Sequence, residues 1–407
     1  MRILVLPYTH MLSHVSRPLL VAKGLRDRGC EVIFAGESEK KKFIESEGFT
    51  VLPLYEPDPS LLLDNIRKGR LKFTSDAEIE AMIEADIALY EEVKPDIVLS
   101  DFRLSAPIST QLSGLKHVAI VNASSTEYRS LPYAPLFDWI PGDSSREYTG
   151  FRKPLNSFNL GFEMFVFDNA MSIFKKLSKQ HRLRKTVTAT NCLAGVDMTL
   201  LADIPEYFPT HDLPDNYHYI GPLTWQTDMP SPSWWPPKRS GGPLVYITMG
   251  TTGIEEFFGV VADLIRQSDM TAIISTGAQI SGLKSIDGHI YIEPFVDGDL
   301  VMEACDVVVC HGGNGTIYQA IQQGKPVIGI PTIADQQFNM RMVERLGIGK
   351  SITWKMVLKH PQALLDLIHA TIEDQSIHEN VVRLGKTLGT YKASQTATDL
   401  IMGSGRL

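Results

Sequence analysis

The stretch VVVCHGGNGTIYQAIQQGKPVIGIPTIADQQFNMRMVERLGIG, residues 307 to 349, decides how this chain can fold. Val307 to Cys310 is a short apolar run typical of a buried strand, a glycine-rich turn follows it, and a helix is predicted from Thr316 to Gln323. A second apolar run, Val327 to Ile330, completes a strand–helix–strand unit. Such a unit indicates parallel strands, with ligands bound beyond their carboxyl ends.

The same alternation of apolar runs and helical segments covers most of the chain. Outside the opening stretch, strands are predicted at Ile3 to Leu6, Glu31 to Ala35, Thr50 to Leu54, Asp96 to Leu99, His117 to Val121, Leu244 to Thr248, Thr271 to Ser275 and Ile290 to Glu293. Helices are predicted at Leu19 to Arg28, Lys40 to Glu47, Asp76 to Glu92 and Ile254 to Gln267. The fold class is therefore α/β, with two doubly wound, Rossmann-like domains.

A segment rich in Pro, Ser, Trp and paired Gly separates the two halves and is typical of a linker. We predict an N-terminal domain over residues 1–228, the linker at 229–242 and a C-terminal domain over 243–385. The last residues, 386–407, are expected to form a helix that packs back on the N-terminal domain. A length of 407 residues is suited to two such domains.

The composition excludes several classes of protein. With 43% hydrophobic and 21% charged residues the chain can form ordinary cores, and its net charge of −8 disfavours nucleic-acid binding, which depends on neutralising phosphates. Four scattered cysteines without a CxxC pair indicate neither a disulfide framework nor a thiolate metal site. The first apolar run breaks at Pro7, and no stretch is long enough to span a membrane. We expect a soluble, cytoplasmic protein.

The turn after Cys310 is suited to bind a phosphate. Its glycines let a ligand approach the backbone closely, the following helix presents free N–H groups, and His311 can donate a hydrogen bond. A dinucleotide site is the alternative, because Asp335 lies about 20 residues beyond the glycines, as that fingerprint expects. The turn is not GxGxxG, however, and Asp335 lies past Pro331, beyond the strand. We therefore rank the diphosphate reading above the dinucleotide one.

This segment resembles the donor-binding signature of GT-B fold, nucleotide-sugar-dependent glycosyltransferases, in particular the UDP-glycosyltransferase and macrolide-glycosyltransferase family. That signature is a His-Gly-Gly-x-x-Thr turn, a helix, Gly-x-Pro, a strand and Pro-x-x-x-Asp-Gln-x-x-Asn. The matching positions are His311, Gly312, Gly313, Thr316, Gly324, Pro326, Pro331, Asp335, Gln336 and Asn339. The resemblance implies two facing domains with the active site in the cleft between them.

The resemblance also implies donor contacts. The diphosphate would be bound by His311, Gly312, Gly313, Asn314, Gly315 and Thr316, and by a Gly250-Thr251 loop after an earlier strand. Asp335 and Gln336 would hold hydroxyls of the transferred sugar. Two positions depart from the family. Gln319 stands where family members have a Glu that binds the ribose hydroxyls, and Pro294-Phe295-Val296-Asp297 stands where they have Val-Pro-Gln beside the nucleobase. UDP is the nucleotide that the resemblance implies, with dTDP and GDP left open.

A catalytic base is expected after the first strand. His14, in Ser13-His14-Val15-Ser16-Arg17-Pro18, resembles the family's Gly-His-Val-x-Pro motif, with Arg17 at the family's Pro position. Asp101 ends a predicted strand and would orient the histidine. His10 is a rival base, and helix capping is an alternative role for both His14 and Asp101. We prefer a His14 and Asp101 dyad.

These features predict an inverting glycosyltransferase that needs no metal. Asp297-Gly298-Asp299 has the letters of a metal motif, but it precedes a helix and is typical of a turn and N-cap. A Phe-rich region at residues 148–185 favours a small, lipophilic, hydroxyl-bearing acceptor, with at most peripheral membrane contact. The protein would be a monomer or homodimer. Alternatives are a nucleotide-sugar epimerase of the same fold and an inactive nucleotide-sugar-binding protein.

Overall fold

The computed structural model describes residues 1–133, 154–224, 229–239, 241–250, 255–278 and 283–404. The chain divides into two compact units. The first consists of Met1–Leu223 together with Tyr391–Leu407, and the second of Thr224–Thr390. Each unit contains one parallel β-sheet with helices packed on it.

The first unit contains a seven-stranded sheet. Its strands are β1 (Arg2–Pro7), β2 (Glu31–Ala35), β3 (Thr50–Leu52), β4 (Ile97–Asp101), β5 (Lys116–Val121), β6 (Met198–Leu201) and β7 (Tyr217–Tyr219). The sheet order is β3-β2-β1-β4-β5-β6-β7, and every neighbouring pair is parallel. The helices are α1 (Leu12–Asp27), α2 (Lys42–Glu45), α3 (Pro59–Arg67), α4 (Asp76–Val93), α5 (Ala106–Leu112), α6 (Pro154–Ala170) and α7 (Ile173–Gln180).

The second unit contains a six-stranded sheet. Its strands are β8 (Leu244–Thr248), β9 (Thr271–Ser275), β10 (Ile290–Glu293), β11 (Val307–Cys310), β12 (Val327–Gly329) and β13 (Gly349–Ser351). The order is β10-β9-β8-β11-β12-β13, again with every neighbouring pair parallel. Its helices are α8 (Glu255–Arg266), α9 (Gly298–Ala304), α10 (Asn314–Gln322), α11 (Ala334–Arg345), α12 (Trp354–Lys359), α13 (Gln362–Glu373) and α14 (Gln375–Leu388).

Both sheets have the strand order of a doubly wound fold, so the predicted fold class is confirmed. In each sheet the order of connection reverses beside the first strand, between β1 and β4 and between β8 and β11. Ligands of open α/β sheets bind outside the carboxyl ends of the strands at such a reversal. The carboxyl ends of β4 and β11 are therefore the places to look for function.

The last helix of the chain, α15 (Ala393–Ser404), belongs to the first unit. It packs on α1, and Ala397 and Ile401 are fully buried in the same core as residues of α1. The contact is close at Gly24, where an added Cβ would lie 2.6 Å from Oγ1 of Thr398. A glycine at this position of α1 therefore lets the two helices approach.

Helix α1 begins at Leu12, so the predicted start at Leu19 was wrong. Proline is unfavourable inside a helix, yet Pro18 lies within α1. Proline has no N–H group, so the carbonyl of His14, four residues earlier, receives no helical hydrogen bond from it. The consequence for function is that His14 lies in the first turn of a helix and not in a loop.

No helix among the residues described here is long and apolar enough to cross a membrane.

A buried histidine, His117 on β5, is part of the first unit's core. The Val196 N–H donates to its Nδ1 at 3.2 Å, and its Nε2 lies 2.8 Å from Oγ of Ser100. Because Nδ1 accepts, Nε2 carries the proton of the neutral ring. Burial lowers the pKa of His117 from 6.5 to about 3. These contacts give the side chain a structural role.

This histidine predicts an acid-sensitive fold. The native ring stays neutral while the unfolded chain takes up a proton below pH 6.5, so the free energy of unfolding of the first unit should fall as the pH decreases from 6.5. The expected contribution is about 1.4 kcal/mol per pH unit. Denaturant unfolding of the native protein and of His117→Gln between neutral pH and the onset of acid unfolding measures it. An equally steep pH dependence in the variant would contradict the assignment.

Candidate active site

The carboxyl edge of the first sheet carries a histidine–carboxylate pair. Asp101 is the last residue of β4, and its side chain is fully buried. His14, in the first turn of α1, is mostly buried as well, with 16% of its side chain exposed. The His14 Nδ1 lies 2.6 Å from Asp101 Oδ1. Two of the residues predicted as catalytic are thus in direct contact.

Neither residue of this pair caps a helix. The N-cap of α1 is Met11 and that of α5 is Ser105, and neither cap receives a side-chain hydrogen bond. A carboxylate can only accept, so Nδ1 of His14 donates to Asp101. This arrangement leaves Nε2 as the ring nitrogen that can take a proton from a substrate.

An aromatic side chain packs on one face of the His14 imidazole. The ring of Phe102 stacks on His14 with centroids 4.7 Å apart and an interplanar angle of 21°. Phe102 has a φ of 59°, in the left-handed region that non-glycine residues rarely adopt. Such strain is often found next to functional groups, and here it turns the ring toward the histidine.

Sequence reasoning assigned no role to two further residues at this site, Arg17 and Asn122. Arg17 lies on α1 three residues after His14, and its Nε donates to Asp101 Oδ2 at 2.8 Å while Nη2 donates to Oδ1 at 2.5 Å. Its Nη1 donates to Oδ1 of Asn122, just after β5, at 2.5 Å. The spacing of three residues, which places side chains on one helix face, was the available signal.

The rival histidine has a weaker partner. His10 Nε2 lies 4.0 Å from Glu56 Oε2, beyond hydrogen-bond distance. The Glu56 carboxylate is buried and already accepts from the backbone N–H groups of Thr9, at 2.7 Å, and Glu37, at 3.0 Å. Glu56 therefore ties two loops together, and His14 has the better geometry for a base.

The carboxyl edge of the second sheet carries the glycine turn. His311 and Gly312 follow β11, and Gly313 is the N-cap of α10, which begins at Asn314, two residues before the predicted start. The His311 imidazole lies tightly between two glycines. An added Cβ would lie 2.7 Å from its Cε1 if placed on Gly250 and 2.5 Å from its Nε2 if placed on Gly313. Thr251, predicted beside Gly250, lies outside the described residues.

The imidazole of His311 is neutral in this setting, because burial lowers its pKa to about 4. Its Nδ1 is buried and finds no hydrogen-bond partner among the residues that the structure describes. A neutral ring donates one hydrogen bond and adds no positive charge. His311 is thus suited to bind an anion as a dipole.

Helix α10 presents its N-terminus beside this histidine. Its N-cap makes no side-chain hydrogen bond, and the N–H groups of its first turn, including those of Gly315 and Thr316, have no acceptor within the helix. Together with the helix dipole they form a site for a negative group. Among the described residues, and apart from the helix's own backbone and the chain neighbours, no atom lies within 4 Å of a Cβ built on Gly315.

Helix α11 is joined to the turn through Asn339. Its Nδ2 donates to the carbonyl of Gly312 at 2.9 Å and approaches Asp335 Oδ2 at 3.4 Å. Gln336 is only 2% exposed, and its Oε1 accepts from the backbone and hydroxyl of Thr332, each at 2.9 Å. Asp335 is partly exposed, so of the two predicted sugar ligands it is the more accessible.

One position that departs from the family pattern, Gln319, lies near the start of α9, the helix that follows the other departing segment. The Gln319 amide is near Gly298, where an added Cβ would lie 3.4 Å from Nε2. Asp297 is the N-cap of α9, as predicted, and accepts from the N–H of Asp299 at 3.0 Å. Burial and the charge of Asp297 raise the pKa of Asp299. All predicted donor-site residues that the structure describes lie in the second unit, while His14 and Asp101 lie in the first.

Two doubly wound units, one with a contacting histidine and aspartate at its sheet edge and one with a glycine turn before a helix, are typical of a GT-B glycosyltransferase. The sequence profile described as "UDP-glucoronosyl and UDP-glucosyl transferase" matches residues 301–388. A PGL/p-HBAD biosynthesis glycosyltransferase of Mycobacterium tuberculosis is 31% identical over 351 residues, which cover 86% of this chain and 80% of that protein. The chain belongs to this glycosyltransferase family.

Two further comparisons agree with this assignment. A PGL/p-HBAD biosynthesis rhamnosyltransferase of Mycobacterium bovis is 30% identical over 349 residues, covering 86% of this chain and 76% of that protein. The structure of the spinosyn rhamnosyltransferase SpnG has a TM-score of 0.70 at 16% identity, covering 99% of this chain and 100% of that one. The protein is therefore an enzyme, a glycosyltransferase with the GT-B fold.

Proposed function

We propose that this glycosyltransferase moves a sugar, with inversion, from a nucleoside diphosphate sugar to a hydroxyl of a small lipophilic acceptor. The observation that carries the proposal is the 2.6 Å hydrogen bond from His14 to Asp101 at the carboxyl edge of the first sheet. A histidine held in this way is a general base for a hydroxyl group. The first unit would then bind the acceptor and the second unit the donor.

The reaction is a single displacement. His14 Nε2 takes the proton of the acceptor hydroxyl as its oxygen forms a bond to the anomeric carbon of the sugar. The bond from that carbon to the diphosphate oxygen breaks, and the nucleoside diphosphate leaves with the electron pair from the opposite face. Asp101 stabilises the imidazolium that forms. One displacement from the opposite face inverts the anomeric configuration.

The donor half of the proposal is supported by the glycine turn. The N–H groups at the start of α10 and the neutral His311 would bind the diphosphate and stabilise its charge as it leaves, with no metal ion. UDP is the proposed nucleotide because the matching family profile names UDP-linked transfer. A structure of SpnG holds thymidine diphosphate, so dTDP is the main competitor.

The acceptor half is supported by exposed aromatic side chains on α6. Phe158, Phe162 and Phe165 are 56%, 44% and 63% exposed, and their spacing places them along one side of the helix. Such a face is suited to a lipophilic alcohol or phenol. The related SpnG has been solved with spinosyn aglycone.

Diphosphate release tests this proposal. The protein is incubated with UDP-glucose or dTDP-rhamnose, with and without 4-methylumbelliferone, and release of UDP or dTDP is measured. Release that requires the phenol supports transfer. Conversion of the sugar without acceptor would support an epimerase. Binding of the nucleotide without transfer from either donor to any acceptor of a wider panel would support an inactive binding protein.

Replacing Asp335 by alanine tests the sugar contact. We expect the affinity for UDP-glucose to fall about tenfold, or about 1.4 kcal/mol, while that for UDP changes little, because the carboxylate would contact only the sugar. Calorimetric titration of both ligands measures the difference. Asp366→Ala, an aspartate on α13 that accepts a hydrogen bond from Gln362, is the matched control. Equal losses for both ligands would refute the assignment to the sugar.

A further inference from the structure

Arg17 makes an unusually complete set of contacts with the proposed base pair. Its guanidinium contacts both oxygens of Asp101, at 2.8 and 2.5 Å, and Oδ1 of Asn122 at 2.5 Å. Its Nη2 also lies 3.0 Å from Nδ1 of His14, a close approach without a hydrogen bond, because both nitrogens are donors in the arrangement that Asp101 imposes. With only 10% of its side chain exposed, Arg17 is held among these groups and not in solvent.

Asp101 needs a positive partner because its side chain is fully buried. In a pair of histidine and aspartate alone, the only available cation is the imidazolium, and a histidine that already carries its second proton cannot act as a base. Arg17 places a permanently charged guanidinium against both oxygens of the Asp101 carboxylate, since a guanidinium stays charged in proteins. The imidazole can then remain neutral before the reaction.

We propose that Arg17 is a positioning residue of the proposed base: it neutralises and orients Asp101 so that His14 rests neutral, with its proton on Nδ1 and with Nε2 free. This inference rests on the proposed function, in which His14 is the base. Arg17 fits the role geometrically, because its planar fork reaches both carboxylate oxygens with two donors. The third donor, to Asn122, anchors the guanidinium to the end of β5.

Few other charged or titratable groups face His14 among the described residues. Asp101 comes from β4 and Arg17 from α1, while the stacked Phe102 has no charge. Tyr8 contacts Phe102 and lies between it and His10, whose nearest carboxylate is Glu56. The direct electrostatic balance at His14 is therefore set by Asp101 and Arg17.

The kinetic test compares Arg17→Gln and Arg17→Lys with the native enzyme, using UDP-glucose or dTDP-rhamnose with 4-methylumbelliferone. In Arg17→Gln the acid limb of the kcat/KM profile should move to higher pH by about one unit or more, because an unscreened carboxylate favours the protonated ring. Arg17→Lys keeps the charge, so its acid limb should lie nearer the native one while kcat falls. KM should change little in both variants.

Arg28→Gln is the matched control. Arg28 is the C-cap of the same helix, and its side chain forms a surface ion pair with Asp399. Its profile should coincide with that of the native enzyme. A shift in this control as large as that of Arg17→Gln would mean that the general loss of one positive charge, and not its position, moves the profile, and would overturn the proposal.

A spectroscopic test needs no substrate. In 15N spectra of histidine-labelled native protein near neutral pH, His14, assigned by its loss in His14→Ala, should show a neutral ring with the proton on Nδ1. In Arg17→Gln the ring should become doubly protonated at a pH where the native ring is neutral. A doubly protonated His14 in the native protein would overturn the proposal, even if Arg17→Gln failed to fold.

The failures of the two proposals are distinguishable. If His14→Ala retains full transfer, the base assignment in the proposed function is wrong, whatever Arg17 does. If His14→Ala is inactive but Arg17→Gln has the native pH profile, or loses activity equally at every pH, then Arg17 has only a structural role and this inference alone is overturned.

Discussion

Replacing His14 by alanine is expected to lower the rate of sugar transfer by about 10²- to 10⁴-fold, the range in which a general base contributes. The physical reason is that the acceptor hydroxyl loses the group that removes its proton, while the second unit, which carries the predicted donor residues, keeps its contacts. Steady-state release of UDP or dTDP measures the rate. Calorimetric titration with the nucleotide should give an unchanged affinity.

His10→Ala is the matched control for this experiment. His10 lies in the loop before α1, near Glu56 but without a hydrogen bond to it, so its loss should leave most of the activity. Full activity in His14→Ala together with a large loss in His10→Ala would move the base to His10.

Asp101→Asn should also be strongly impaired, because an amide would stabilise the imidazolium poorly.

The contact between His14 and Asp101 was predictable because strand ends are predictable. A buried apolar run that ends in an acid places that acid at the carboxyl edge of a parallel sheet, and Asp101 pairs in register with Pro7 at the end of β1. His14 follows Pro7 by seven residues, so it had to lie near the same edge. The position of the glycine turn was predictable for the same reason, because the turn directly follows the buried strand β11.

The remaining parts of the site depend on tertiary contacts that no local pattern encodes. The spacing of Arg17 from His14 is visible in the sequence, but its hydrogen bond to Asn122 joins residues 105 positions apart. The positive φ of Phe102 and its stacking on His14 are likewise set by neighbouring strands and helices. The burial of Gln336 and its hydrogen bond from the N–H of Thr332 were not predictable from the sequence either, and its contact with the sugar stays a prediction.

The state of His311 required knowledge of burial. The sequence pattern indicates a phosphate ligand at this position, but a histidine can serve as a cation or as a neutral donor. The packing between Gly250 and Gly313 removes water from the ring and lowers its pKa to about 4. Anion binding would therefore depend mainly on the amide groups and dipole of α10, which is consistent with a chain of net charge −8.

Gly315→Ala separates the binding role of this turn from its structural role. Gly315 lies in the first turn of α10, and a Cβ built on it meets no atom of the described residues within 4 Å beyond its own helix backbone and chain neighbours. Alanine should therefore fit and stabilise the helix by about 0.5–1 kcal/mol. The same methyl group would stand beside the N–H groups proposed to bind the diphosphate. We expect the affinity for UDP to fall at least about tenfold, while the thermal unfolding midpoint stays equal or rises.

The opposite signs of these two effects make Gly315→Ala a sharp test. Gly313→Ala is less informative, because its Cβ would collide with His311 and disturb the turn itself. Gly259→Ala is the matched control: Gly259 lies inside α8, and in the part of the chain that the structure describes its Cβ likewise meets no atom within 4 Å beyond its own helix backbone and chain neighbours, so only stability should change. If Gly315→Ala binds UDP and dTDP as tightly as Gly259→Ala does, the diphosphate does not approach α10 at this residue. The glycine would then serve the turn alone, and the donor site would have to be sought elsewhere on the second unit.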